Sequence, residues 1–164
     1  MLTITEIAPI FAKLDRDQGG EEPASVEKAL RNLTQRFPVA PTAKSGRAFV
    51  YDAPAIVALR LSFLAHQFGL NRLLLHPYAR FLNVASAEAV RRVDDGEGFT
   101  FFVVARPIGN DVWASWEEPA DDAPQTRAEK AIWLMRRDAI ELGCFTQKSA
   151  LVQQILSALP KDRS

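Results

Sequence analysis

Residues 41–75 read PTAKSGRAFVYDAPAIVALRLSFLAHQFGLNRLLL, and the fold turns on how this stretch is parsed. Pro38 and Pro41 forbid helix at its entry. Thr42-Ala-Lys-Ser-Gly46 reads as a hairpin tip between two short extended pieces, the second ending in Ala48-Phe-Val-Tyr51. Asp52 with Pro54 just behind it is a helix-start signal, so a strongly apolar helix is predicted from about Ala53 to Phe68, with Gly69 as its stop. A small β wing therefore feeds straight into an apolar helix.

Two helices precede the wing. Thr3-Ile-Thr-Glu6 has the spacing of a capping box and is followed by Ile7, Ile10, Phe11 and Leu14 at helical intervals. The polar residues 15–23, with two adjacent glycines, form a loop, and Ser25 is the predicted cap of a second helix reaching about Arg36. Val26, Ala29, Leu30 and Leu33 make its apolar stripe, while Glu27, Lys28, Arg31, Asn32, Thr34 and Gln35 face elsewhere.

On the other side of the stretch, Asn71 is the predicted cap of a helix ending near Asn83, kinked or divided by Pro77, and Ser86 to Val93 makes a further short helix. Phe99 to Ala105, rich in aromatic and β-branched residues, is a predicted strand turning through Pro107–Asp111 into Val112–Trp116. Residues 117–124 are an acidic linker. Two helices are predicted to follow, at about 126–142 and 147–159, with Gly143 as the C-cap between them.

Helix, connection, helix, two short strands and helix is the outline of a winged helix-turn-helix, whose second helix enters a DNA groove. Over roughly residues 2–82 the chain resembles the MerR-type DNA-binding domain. The resemblance is carried by Thr3 to Phe11, Ser25 to Arg36, Ser45-Gly46-Arg47, Tyr51, Asp52, Ile56 to Leu64 and Gly69-Leu70, in that order. Two features depart from that pattern: residues 15–24 are longer and more acidic than a tight turn, and the wing has one residue more between Arg47 and Tyr51.

The resemblance implies a regulator that binds double-stranded DNA, with residues 1–85 as the winged-helix domain and 86–164 as a hairpin-plus-helices module for dimerisation or signal reception. Arg31, Arg36, Lys44 and Arg47 would sit on or beside the recognition helix and wing tip and reach phosphates, and Tyr51 belongs to the same DNA-binding set. Lys28, Asn32, Thr34 and Gln35 are chemically able to read base edges, Asn and Gln suiting adenine. The bland alternative for all of them is the solvated face of an amphipathic helix.

Charge supports a directional surface. The chain of 164 residues is neutral overall, yet residues 25–92 carry a net +7 and residues 93–124 a net −7. Such asymmetry fits a polyanion partner for one segment, or two oppositely charged faces that pair with each other. With 48% hydrophobic and 24% charged residues the chain is neither disordered nor a disulfide scaffold. One cysteine, Cys144, cannot form an internal bridge, and its place after a helix end would raise its pKa and make it a poor nucleophile.

No Cys/His cluster, phosphate-binding Gly loop or catalytic triad is visible, so no metal, no cofactor and no enzymatic activity are expected. His66 and His76 read as structural. Trp113, Trp116 and Trp133 read as core or partner interface, with a ligand pocket as the alternative. The N-terminal residues lack the pattern of a signal peptide and no apolar run is long enough for a membrane span, so a soluble cytoplasmic protein is expected. A small-molecule effector has no support in the residues.

The expectation is a mainly α protein with small β elements (α+β): an N-terminal winged helix-turn-helix, then a β-hairpin and two C-terminal helices, acting on DNA as a homodimer. The competing expectation is a protein-interaction module, an adaptor or inhibitor, that docks through the aromatic hairpin Phe99–Trp116 without nucleic acid.

Overall fold

The computed structural model describes residues 1–15, 19–70, 72–97, 100–108, 111–117 and 143–160. Among them the chain is mainly helical, with two small antiparallel sheets. In order the elements are α1 (Ile4–Leu14), α2 (Pro23–Arg36), β1 (Ala43–Ser45), β2 (Ala48–Val50), α3 (Ala53–Gln67), α4 (Arg72–Asp94), β3 (Thr100–Ile108), β4 (Asp111–Glu117), β5 (Gly143–Lys148) and α5 (Ser149–Ala158).

Local chemistry explains the boundaries. Thr3 caps α1, and its backbone N–H donates to the Glu6 carboxylate at 2.9 Å, closing the capping box. The second helix starts earlier than the Ser25 cap expected from sequence. Pro23 takes its first position, where a missing N–H costs nothing and φ is already set, and Glu22 is the cap. Asp52 accepts the Ala55 N–H at 3.0 Å and so caps α3. At the far end Gly69 adopts φ +81°, and the Leu70 N–H reaches back to the Ala65 carbonyl at 3.0 Å, the Schellman closure that only a left-handed residue allows.

The helix α3 is the centre of the molecule. Every residue from Ile56 to Phe63 is buried, the pattern of a helix surrounded on all sides. It lies along α4, which is a single helix where two shorter ones were expected. The reason is a continuous buried stripe: Leu75, Tyr78, Ala79, Leu82, Ala85, Ser86, Ala89 and Val90 recur at helical spacing through Asn83 and Val84, so packing holds the backbone helical there. Pro77 sits inside this helix, near its first turn.

This helix runs without a break through residues 85 and 86, and Val152 and Ile155 of α5 are buried in the same core as Ile7, Phe11, Leu30 and Leu59.

The hairpin expected from Phe99 to Trp116 is present as β3 and β4, paired from Phe102↔Glu117 to Ile108↔Asp111. Pro107 lies beyond the last β5 pair, Ala105↔Gly143, where its lack of a donor breaks no ladder bond on that side. Gly143 opens strand β5 and is not the helix cap that its identity suggested. The segment Gly143–Lys148 pairs with β3, so the last helix begins at Ser149, later than expected. The expected helix at 126–142, Trp133, the Asn71 cap and linker residues 118–124 lie outside the described residues. No helix among the described residues is long and apolar enough to cross a membrane.

Candidate nucleic-acid interface

Strand β1 meets β2 in the register Ala43↔Val50, Lys44↔Phe49 and Ser45↔Ala48, leaving Gly46-Arg47 as a two-residue turn. Gly46 has φ +60° and Arg47 does not share it, which is the arrangement of a II′ turn, with glycine first. The hairpin is tied to the body through Tyr51. Its backbone exchanges two hydrogen bonds with Leu2, at 2.8 and 2.9 Å, which adds Leu2 to the base of the hairpin.

The segment between α2 and the hairpin is also pinned. Asn83 of α4 donates its amide to the Pro38 carbonyl and accepts the Ala40 N–H at 3.1 Å. A surface groove of about 520 Å³ opens here, lined by Thr34, Phe37, Pro38, Val39, Arg80, Asn83 and Val84 among others.

On α2, Val26, Leu30 and Leu33 face the core, which turns Lys28, Arg31, Asn32, Gln35 and Arg36 to solvent. Five of the candidate side chains therefore share the outward half of one helix. Lys44 and Arg47 are exposed on the β1–β2 hairpin, and the Lys44 ammonium lies 5.9 Å from the ring centre of its cross-strand partner Phe49. Among the described residues no carboxylate pairs with Lys28, Arg36, Lys44 or Arg47.

Two candidates are placed differently. Tyr51 is 1% exposed, so it stands beneath the surface, with its hydroxyl against Thr34 and near Arg31. Burial raises its phenol above the ordinary value, opposed in part by the Thr34 hydrogen bond and the Arg31 charge. Thr34 is half-buried, and its hydroxyl donates to the Arg31 carbonyl at 3.1 Å.

Arg31 itself is engaged. Its Nη2 donates to Glu27 Oε1 at 2.7 Å and to Thr5 Oγ1 at 3.1 Å, and its Nε donates to the same Glu27 oxygen at 3.0 Å. The Thr5 hydroxyl donates to Glu27 Oε1 at 3.0 Å, so one carboxylate oxygen gathers α1 and α2. Hydrogen bonds from Arg31 and Thr5 hold the Glu27 carboxyl below its ordinary value, and it stays ionised at neutral pH.

Sequence reasoning missed three residues of this region. Phe49 is 55% exposed on the hairpin, and its place opposite Lys44 follows only from the register. Arg80 reaches the groove from α4, and Asn83 fixes the strap above it. No local pattern marks either. His66 packs edge-on to Phe37 at 6.2 Å between ring centres. No group of three or more His, Cys, Asp or Glu side chains among the described residues is arranged to hold a metal ion.

No family model matches the chain, and neither curated proteins nor solved structures include a significant match to it.

Proposed function

We propose that this chain is a sequence-specific, cytoplasmic DNA-binding regulator of transcription, built on a MerR-like winged helix-turn-helix and acting as a homodimer. The observation that carries this reading is the set of exposed cations on α2 and on the β1–β2 hairpin, whose base residue Tyr51 meets Thr34 of α2. That set presents Lys28, Arg36, Lys44 and Arg47 without a carboxylate partner among the described residues, and α2 also carries the amide side chains of Asn32 and Gln35. Long cationic side chains around a helix that also carries amides are the chemistry that neutralises phosphates while reading base edges. The three-stranded sheet would serve the second role of such a protein, dimerisation or reception of a signal.

Duplex titrations at several salt concentrations test this. Arg36, Lys44 and Arg47 of two subunits displace up to six counterions, giving a log–log slope of about −5 from roughly −0.9 per phosphate. The Lys44→Ala, Arg47→Ala double variant should lose about 4 of that slope and weaken all duplexes alike, because phosphates carry no sequence information. Absence of duplex binding, or binding without salt dependence, removes the reading. The rival, docking of a protein partner through the Phe99–Trp116 hairpin, has one observation in its favour. Among the described residues β4 is an outer strand of its sheet, and an outer strand can accept an added strand.

A further inference from the structure

Between Ser25 and Tyr51 the sequence contains a single carboxylate, Glu27, in a segment otherwise rich in cations. A surface that only neutralised phosphate would gain nothing from an acid that occupies its central arginine. The geometry is that of a preset pair. A guanidinium has five N–H donors; three of those of Arg31 are taken by Glu27 Oε1 and Thr5 Oγ1, which leaves Nη1 as the unused donor group. Glu27 Oε1 accepts from Arg31 and Thr5, which leaves Oε2 as the unused acceptor. A locked donor and a locked acceptor thus stand together on the exposed half of α2.

Resting on the DNA-binding reading above, we propose that Glu27 is a specificity-determining residue and that Glu27 and Arg31 together read a G·C base pair in the major groove. Guanine offers the acceptors O6 and N7 to Arg31 Nη1, and the cytosine N4 amino group donates to Glu27 Oε2. An adenine amino group also satisfies the acid and thymine O4 also accepts from the arginine, but thymine puts a methyl group where guanine offers the second acceptor N7. A phosphate approaching Glu27 meets an ionised carboxylate, so the pair also discourages sequence-independent seating. Thr5 is the positioning residue, because it anchors both partners to α1.

The test uses the full-length protein and pools of random duplex DNA, with wild type, Glu27→Ala, Glu27→Gln and Arg31→Ala compared at one salt concentration and then across several. Wild type should select a G·C pair at one fixed position of each half-site. Glu27→Ala should relax that position by roughly tenfold or more and leave the other positions unchanged. Its salt slope should grow in magnitude by up to about 2, because each subunit's Arg31 is released to a phosphate. Glu27→Gln, which keeps an acceptor but loses the charge, should relax the position less.

If wild type and Glu27→Ala select the same site with the same salt slope, Glu27 is only a helix-surface partner and the proposal falls while DNA binding stands. Duplex binding without any sequence preference also overturns it. If wild type captures no duplex at all, the DNA-binding reading fails, and this proposal fails with it.

Discussion

Two arginine–carboxylate pairs stand at opposite extremes of this molecule. Arg60 of α3 is 4% exposed, donates through both Nη atoms to Asp15 at the end of α1, and lies 5.0 Å and 5.9 Å from the ring centres of Phe11 and Phe63. Arg31 of α2 is mostly in solvent and meets Glu27 one turn away. The same chemistry has opposite consequences. Inside the core the guanidinium has no water to return to, so its partner is obligatory and the pair joins α1 to α3. On the surface, water and salt screen the pair, so it contributes little stability, and its unused donor and acceptor stay open to a ligand.

The largest effect should come from breaking the inner pair. Asp15→Ala leaves a cation buried against two phenyl rings and should destabilise the fold by about 4 kcal/mol, measured by denaturant unfolding. Adding Arg60→Met should recover much of that loss, because the burial of an unpaired charge is then removed. If the single and double variants lose the same stability, the contrast between the two arginines is broken.

Ile155→Ala comes next. Ile155 is fully buried although it lies far along the chain from α1 and α3, and its truncation should cost about 3 kcal/mol through lost burial and a residual cavity. Equal stability of this variant and wild type would mean that α5 is not part of the common core. By contrast, alanine at Lys44 and Arg47 together should leave stability within about 0.5 kcal/mol, so that any loss of duplex binding belongs to the interface.

The smallest effect sharpens the comparison through pH. The sequence has two tyrosines, and burial raises both phenols above the ordinary 10, with Tyr51 at the hairpin base and Tyr78 in the core. A raised phenol means that the unfolded chain ionises first. Stability is therefore unaffected by these groups below pH 10 and falls as pH rises from 10 toward the raised values. Phenolate absorbance should rise late and together with unfolding. Arg31→Ala should push Tyr51 still higher, because the Arg31 charge lowers it in the wild type, and should leave Tyr78 where it is.

Much of this was legible in the sequence, because it depends on neighbours within one turn. The Thr3 capping box, the Asp52 cap, the Gly69 stop, the glycine of the hairpin turn and the exposed half of α2 all follow from periodicity or from hydrogen bonds spanning a few residues. The six exposed or half-exposed candidates on α2 and the four strands of the two predicted hairpins follow for the same reason. Those are local rules, and the chain obeys them.

Tertiary structure alone decided the rest. The break expected between Asn83 and Ser86 disappears because the buried stripe of α4 packs against α3 and keeps the helix continuous, a packing force with no local signature. Pairing of Gly143–Lys148 with a strand some forty residues earlier overrides the reading of Gly143 as a helix end. Tyr51, expected at the surface, is part of the core, with its hydroxyl against Thr34 of α2 and its backbone paired with Leu2. Arg60, in a run that reads as strongly apolar, finds Asp15 only when α1 and α3 are packed together. Arg31, expected to be an available cation, meets Thr5 from another helix. Caps and turns are energies of adjacent residues; ion pairs, strand partners and burial are energies of residues that the folded chain brings together, and no short window of sequence contains them.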